Sequence, residues 1–514
     1  MASIVSLFTG FEYHPHQESA IRWMMERECE DAAFYRGGLL CDEMGTGKTY
    51  TALGLMANVP VANTLLLVPP VLQPQWVEAL MKCDIPHTIL APPKAKGAGA
   101  HFITKGGSKP FAVTVATYDR ATHNAVFLNT VSYDRIVCDE GHVFRNGHGT
   151  KRFRILSAIP AARRWILSGT PVQNRKTDFI NLLNFLGMDK QTRLKTTLSI
   201  IAEATLLRRT VGLIRDTVST MPQAKPTHIV HPVVMPEDSD EERTFAALVG
   251  RFESAIEGRA KSAIILELYL RIRQFISHPA IYVNAMKRKY GVEYGRDSWT
   301  GTASKMAAFS RFLSTSIKEP TIVFTTFNEE MELAKTALHA AGYATGCIAG
   351  GMSDTTRTAV INESRATVAK GLPTAILVQI VAGGAGLNLQ HCNRVVFLSS
   401  HWNPAMSDQA VARAYRIGQT KHVTVHHMLL ADDAEKNLDR RMAVMHGQKR
   451  SVAVAIHKDL FCEAAVDTDR VMNELDAVLY IDIDAEQHRG DLTDDDDEPV
   501  ESDIDEDADE DPIA

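Results

Sequence analysis

Residues Gly37–Thr49 read GGLLCDEMGTGKT. An apolar strand-like run, Leu39-Leu40-Cys41, leads into a glycine-rich turn, and the chain then opens a helix. Backbone N–H groups of Gly45-Thr46-Gly47 can point at phosphate oxygens, and the following helix N-terminus adds a positive dipole end. Lys48 supplies a charge for β and γ phosphates, and Thr49 offers a hydroxyl to Mg²⁺. The stretch therefore predicts a nucleoside-triphosphate site on an α/β fold. The strict eight-residue pattern wants glycine where this chain has Asp42, so the rest of the chain must support the reading.

It does so at three places. In YDRIVCDEGHVFRN, residues 133–146, an apolar run delivers Asp139 and Glu140 to a strand end. Phosphoryl transfer needs such a pair: Asp139 can hold Mg²⁺ through its water shell, and Glu140 can orient or deprotonate the attacking water. SGTPVQN, Ser168–Asn174, follows the strand-like RRWIL. QAVARAYRIGQ, Gln409–Gln419, spaces Arg413 and Arg416 three apart, which on a helix puts both on one face. Arginine suits this role because its planar fork stays charged and grips phosphate oxygens.

Taken in order from about residue 11 to about residue 440, these segments resemble the SNF2 family of superfamily 2 ATPases. FEYHPHQESAIRW resembles the adenine-reading Q motif, GGLLCDEMGTGKT motif I, LLLVPPVLQPQWVEAL motif Ia and VTVATYD motif Ib. DEGH and SGTPVQN fill motifs II and III, and LLRRT with MPQAK is similar to the family's following segment. LRIRQFISHP, TIVFTTF, AGGAGLNL and HWNPAMSDQAVARAYRIGQT complete the series, the last carrying the Trp-Asn-Pro and Arg-Ile-Gly-Gln signatures. The resemblance implies that ATP is bound by Gln17, Asp42, Glu43, Met44, Gly45, Thr46, Gly47, Lys48, Thr49, Gly384 and Gln409. It implies Mg²⁺ on Thr49 and Asp139, and catalysis by Lys48, Asp139, Glu140, Arg413 and Arg416. The glycines of motif V, Gly383, Gly384 and Gly386, permit close backbone approach between nucleotide and DNA sites.

Departures from the pattern are informative. Gly141, where most relatives have alanine, and His401-Trp402-Asn403-Pro404 resemble the Rad5/Rad16-like and transcription-termination-factor branch. That branch often carries a RING finger, yet the seven cysteines here contain no C-x₂-C pair, so no structural zinc is expected. Ala412 and Tyr415 replace the usual Asp and His of motif VI, leaving both arginines in place but altering their surroundings. A nearly bare motor is similar to compact SNF2-like proteins of large DNA viruses.

The 514 residues, 45% of them hydrophobic, suffice for two cores. No run of 18 apolar residues and no basic-then-apolar leader occurs, so neither a membrane span nor a secretory signal is expected. Scattered cysteines point to a reducing compartment, hence the nucleus, the host's if the chain is viral, or the cytoplasm. Net charge is −7, but 14 of the 62 acidic residues lie in 491–514, which has no Lys or Arg; the remainder carries 55 basic against 48 acidic residues. A motor of net +7 suits a polyanion, and the resemblance implies double-stranded DNA. The acidic tail should be disordered, either solubilising the chain, masking the DNA groove, or binding histones or other DNA-bound proteins.

The expected architecture is α/β, with two RecA-like lobes of parallel sheet. Lobe 1 should span 1–280, including a helical protrusion at about 176–280 between motifs III and IV, within which FAALVGRFESAIEGRAKSAIILELYLRIRQFI reads as one long apolar-periodic stretch. A connector, 281–300, precedes lobe 2 at 301–445; then come an extension, 446–490, and the tail, 491–514. The basic loop Lys94–Pro110 is either a DNA contact or a surface insertion. Function is expected to be ATP-driven translocation on duplex DNA that remodels or displaces bound proteins. The alternatives are a strand-separating helicase and a regulator that binds histones or other partners through its acidic tail.

Overall fold

Apolar runs such as NTLLLV and TIVFT lack the alternation of a half-exposed strand, as expected of parallel strands covered by helices on both faces. A computed structural model describes residues 3–29, 36–91, 101–169, 171, 176–188, 198–215, 218, 224–380, 387–399, 401 and 404–431. Among these, the first sheet contains β1 (Arg36–Leu40), β2 (Asn63–Val68), β3 (His87–Ala91), β4 (His101–Lys105), β5 (Ala112–Thr117), β6 (Tyr133–Asp139), β7 (Ala161–Leu167) and β8 (Leu206–Leu207). Their order is β4-β3-β5-β2-β6-β7-β1-β8. Only the β3–β4 pair is antiparallel. The second sheet has order β11-β12-β10-β13-β14-β9, all parallel, from β9 (Thr227–Val233), β10 (Thr321–Thr325), β11 (Ala344–Ile348), β12 (Thr374–Gln379), β13 (Arg394–Phe397) and β14 (Thr424–Leu430).

Each sheet separates two apolar cores. Leu39, Ile136 and Phe179 mark one face of the first sheet, and Leu40, Trp76 and Trp165 the other. Val323, Phe309 and Phe275 lie on one side of the second, and Ile322, Phe324 and Val425 on the opposite side. The two-lobed α/β expectation is met.

The lobe boundary is not where the sequence pattern put it. THIVHPV, residues 227–233, is a strand of the second sheet, paired with β14 from Thr227↔Thr424 to Val233↔Leu430. Helices Asp240–Glu257, Ser262–Ser277 and Pro279–Tyr290 contribute Phe245, Phe275 and Tyr282 to the second lobe's core. The helical block between motifs III and IV therefore exists, but from 227 onward it belongs to lobe 2, and lobe 1 does not extend to 280. The long periodic stretch is two helices. Arg259 adopts φ 49°, and the Ala260 N–H donates to the Ala255 carbonyl, a left-handed helix stop that periodicity does not reveal. The 281–300 connector is largely helix, and Trp299 packs T-shaped against Phe275 with the Arg296 guanidinium over its ring.

Within Lys94–Pro110, residues 101–105 form the edge strand β4, and the Ser108 N–H donates to Asp84. Residues 94–100, the extension 446–490 and the acidic tail lie outside the described residues. No helix among the described residues is long and apolar enough to cross a membrane.

Candidate active site

The phosphate loop joins β1 to helix α2 (Lys48–Asn58). Lys48 Nζ lies within the loop, donating to the carbonyls of Asp42 (2.7 Å) and Glu43 (3.1 Å). Helix α1 (Pro15–Cys29) starts beside it, with proline in the first turn where no N–H partner is needed. His16 Nε2 meets the Thr46 carbonyl at 2.8 Å, and Gln17 Nε2 donates to the Gly47 carbonyl at 3.2 Å. Gln17 Oε1 accepts from the His14 N–H, so the Gln17 amide closes its own helix start and touches the loop at once.

β6 ends at Asp139, and its sequel is strained: Glu140 has φ 51°, ψ 42°, a left-handed conformation unusual for a residue with a side chain. That turn aims both carboxylates into the cleft. Trp76, on helix α3 (Gln73–Lys82), donates from Nε1 to Asp139 Oδ2 at 2.7 Å, the Glu140 N–H donates to Oδ1 at 3.0 Å, and Tyr118 OH donates to the Asp139 carbonyl. Burial, and then the charge of Glu140, raise Asp139 to about 6 against the hydrogen bond from Trp76 and the charge of Lys48. Glu140 is held below the usual range: burial opposes ionisation, but His142, Lys48 and Arg413 outweigh it. His142 Nδ1 lies 3.2 Å from Glu140 Oε2 and 3.4 Å from Ser168 Oγ, joining motifs II and III. Gly141 has a local cause. A Cβ there would sit 2.7 Å from Ile166 Cγ2, so glycine is the residue this close packing admits.

Lobe 2 supplies the facing wall. Its helix Pro404–Val411 ends before the arginines, so Arg413 and Arg416 lie in successive turns rather than on one helical face. The Tyr415 N–H donates to the Val411 carbonyl at 2.9 Å, which tightens this turn. Both arginines still reach the cleft, which has a volume of about 340 Å³ and is also lined by Gln17, Met44, Gly45, Gly47, Lys48, Thr49, Asp139 and Glu140. Burial pushes Arg413 down to about 10, opposed by the charge of Glu140, so it stays protonated at neutral pH. The lobes touch: a Cβ on Gly45 would lie 2.9 Å from Arg416 Cβ.

Some expected residues are elsewhere. The Asp42 carboxylate turns away from the cleft into a bidentate pair with Arg209 (3.0 and 2.6 Å), and the Glu43 carboxylate accepts from the Val211 N–H at 2.6 Å. Their side chains hold the loop's shape and do not line the cleft, because each has a complete partner behind it. The Thr46 hydroxyl likewise donates to the Glu43 carbonyl, and Thr46 is buried outside the cleft lining. Gln409 is buried outside the cleft lining. Gly383, Gly384 and Gly386 lie outside the described residues, as do Thr170, residues 172–174, Trp402 and Asn403. Trp76, His16 and Arg209 were missed as site residues. Only the tryptophan carried a signal, as the one large indole in the motif Ia helix.

Thr49 and Asp139 both line the cleft beside Glu140, and this set of oxygen donors fits a hard ion such as Mg²⁺. Among the described residues no three His, Cys, Asp or Glu side chains cluster as a separate metal site.

The SNF2-related domain model matches residues 16–211, and the helicase conserved C-terminal domain model matches 304–418. The chain thus carries an SNF2-related domain followed by a helicase C-terminal domain, as the SNF2-type resemblance implies. It is a helicase-like ATP hydrolase. The chain is 27% identical over 464 residues to the "Probable global transactivator" of Orgyia pseudotsugata multicapsid polyhedrosis virus, covering 84% of this chain and 89% of that protein. It is 25% identical over 460 residues to the human helicase-like transcription factor, covering 66% of this chain and 44% of that one. It is 23% identical over 497 residues to the human DNA excision repair protein ERCC-6, covering 83% and 31%. Of the latter two it therefore spans less than half. Among solved structures it is similar to the Sulfolobus solfataricus SWI2/SNF2 ATPase core in complex with dsDNA, at 21% identity and a TM-score of 0.38, covering 92% of this chain and 99% of that one.

Proposed function

We propose that this SNF2-family ATPase translocates on double-stranded DNA and so remodels or displaces DNA-bound proteins. The supporting observation is the composition of one cleft: Lys48, Asp139 and Glu140 come from lobe 1, Arg413 and Arg416 from lobe 2. In this reading Gln17 faces the adenine, and the Gly45–Gly47 backbone and Lys48 hold phosphates. Thr49 and Asp139 hold Mg²⁺, which when bound neutralises phosphate charge. Glu140 orients the attacking water and takes its proton, while His142 keeps that carboxylate ionised. Arg413 and Arg416 stabilise charge developing on the transferred phosphoryl group, and an arginine delivered this way is worth about 10³- to 10⁵-fold in turnover. Because they ride on the opposite lobe, chemistry is tied to closure.

The DNA assignment draws on the +7 balance of residues 1–490 and on the motif VI signatures. It predicts ATP-dependent displacement of a triplex-forming third strand without unwinding of a forked duplex. Robust fork unwinding would replace it with the helicase reading. Nuclear residence and contact with histones belong to the same proposal.

A further inference from the structure

The chain passes from lobe 1 to lobe 2 through a segment that touches both halves of the ATP site. Leu206–Leu207 forms the edge strand β8 beside β1, and its continuation runs along the phosphate loop as an extra rung: the Cys41 N–H donates to the Leu207 carbonyl at 2.7 Å and the Glu43 N–H to the Arg209 carbonyl at 3.0 Å. Arg209 grips the Asp42 carboxylate with two hydrogen bonds, and the Val211 N–H donates to Glu43. Beyond it, Val211, Ile214 and Val218 form a small apolar cluster of their own, and Tyr415 and Ile417 of lobe 2 pack onto it. Tyr415 lies between the two arginines in the turn that carries them.

We propose that residues 206–215, with Val218, are a strap that couples the phosphate loop to the arginine-bearing turn, with Arg209 and Tyr415 as its positioning residues at the two ends. The inference rests on the ATPase reading of the cleft and adds to it a route by which the two walls are held in register. The physical reason lies in stiffness. At the lobe 1 end the strap is fixed by two backbone hydrogen bonds and a bidentate, nearly buried ion pair, which together leave little freedom to slide. At the lobe 2 end the contact is apolar, so it tolerates rotation of the lobe while keeping Tyr415 seated. A shift of Asp42 and Glu43 on nucleotide binding is thereby transmitted to Tyr415, and through the turn to Arg413 and Arg416. It also accounts for Asp42 in place of the pattern's glycine, since its carboxylate is the group Arg209 holds.

The test separates turnover from nucleotide binding in the full chain. Tyr415→Ala should lower kcat for ATP by roughly tenfold while leaving affinity for a non-hydrolysable ATP analogue within about twofold, in the range expected when a coupling contact is removed. Tyr415→Phe, which keeps the ring, should restore kcat. Arg209→Ala alone risks misfolding because it strands a buried carboxylate, so the paired change Asp42→Asn with Arg209→Gln removes both charges together. This pair should lower kcat by a similar factor, and adding Tyr415→Ala should lower it little further, because both changes cut the same strap. Multiplicative losses of about a hundredfold would show two independent sites and overturn the proposal. So would wild-type kcat in Tyr415→Ala, or nucleotide affinity falling in step with kcat. Lys48→Ala serves as the control: if it hydrolyses ATP as fast as wild type, the ATPase reading itself fails, whatever the strap variants do.

Discussion

Replacing Trp76 with phenylalanine removes one hydrogen bond and little else. The indole is almost wholly buried, and its Nε1 donates to Asp139 Oδ2 at 2.7 Å, so Trp76→Phe keeps an aromatic ring in the core while deleting the donor. A hydrogen bond to a charged acceptor is worth about 1.5–3 kcal/mol, or one to two pKa units at about 1.36 kcal/mol each. Asp139 already stands at about 6, so the variant moves it into the neutral range, and at pH 7 a large share of the carboxylate is protonated. Protonated carboxyl groups are poor ligands for Mg²⁺. Loss of an outer partner of a metal ligand typically costs about 10- to 100-fold in metal affinity. The assay compares binding of a fluorescent ATP analogue with and without Mg²⁺, at pH 7 and pH 9. The gain in affinity that Mg²⁺ confers should shrink by about tenfold at pH 7 and largely return at pH 9, while Mg²⁺-free binding is unchanged. A loss equal at both pH values, or equal with and without Mg²⁺, would refute the reasoning and leave Trp76 as a packing residue.

Glu140→Gln should bind Mg-nucleotide nearly as well as wild type yet lose steady-state hydrolysis, because Lys48 and Asp139 remain while the water loses its base; rapid turnover would reject that role. In lobe 2, His426 Nδ1 meets His231 Nε2 at 2.9 Å, and burial, then the positive charges of His231 and Arg394, depress His426 to about 4. Its contribution is therefore complete above about pH 6.5 and is lost as pH falls toward 4, about 2 kcal/mol by pH 5, measured as the pH slope of urea unfolding that His426→Gln should flatten. Deleting residues 491–514 should tighten duplex binding at low salt, with the gain fading as ionic strength rises, because exposed charges are screened beyond ~10 Å at 0.1 M. Unchanged affinity on deletion would exclude masking of the DNA groove by the tail.

How much of this was legible in the sequence depended on range. The phosphate loop and the Asp139–Glu140 strand end are local strings whose backbone path follows from their own residues; the two arginines also reach the cleft, but through successive turns rather than on the helical face their spacing suggested. Long-range choices were not legible. Nothing in THIVHPV says which sheet its strand joins, and helix periodicity marks an apolar face without naming the lobe that covers it, so the boundary was drawn some 50 residues late. The break at Arg259 hides because a left-handed arginine has no sequence signature comparable to glycine. Asp42 was read as a phosphate-loop residue because its partner, Arg209, lies 167 residues away. Trp76 and Asp139 are 63 apart, and their hydrogen bond exists only once α3 lies across the end of β6.

In the proposed function a two-lobed, basic motor couples ATP hydrolysis to duplex DNA. The most direct measurement is steady-state ATP turnover by the full chain with no nucleic acid, single-stranded DNA, duplex DNA or nucleosomes. Duplex DNA should stimulate turnover well above the single-stranded level, and Arg413→Ala should abolish the stimulated rate. Equal turnover under all four conditions, or stimulation by single strands alone, would contradict the account.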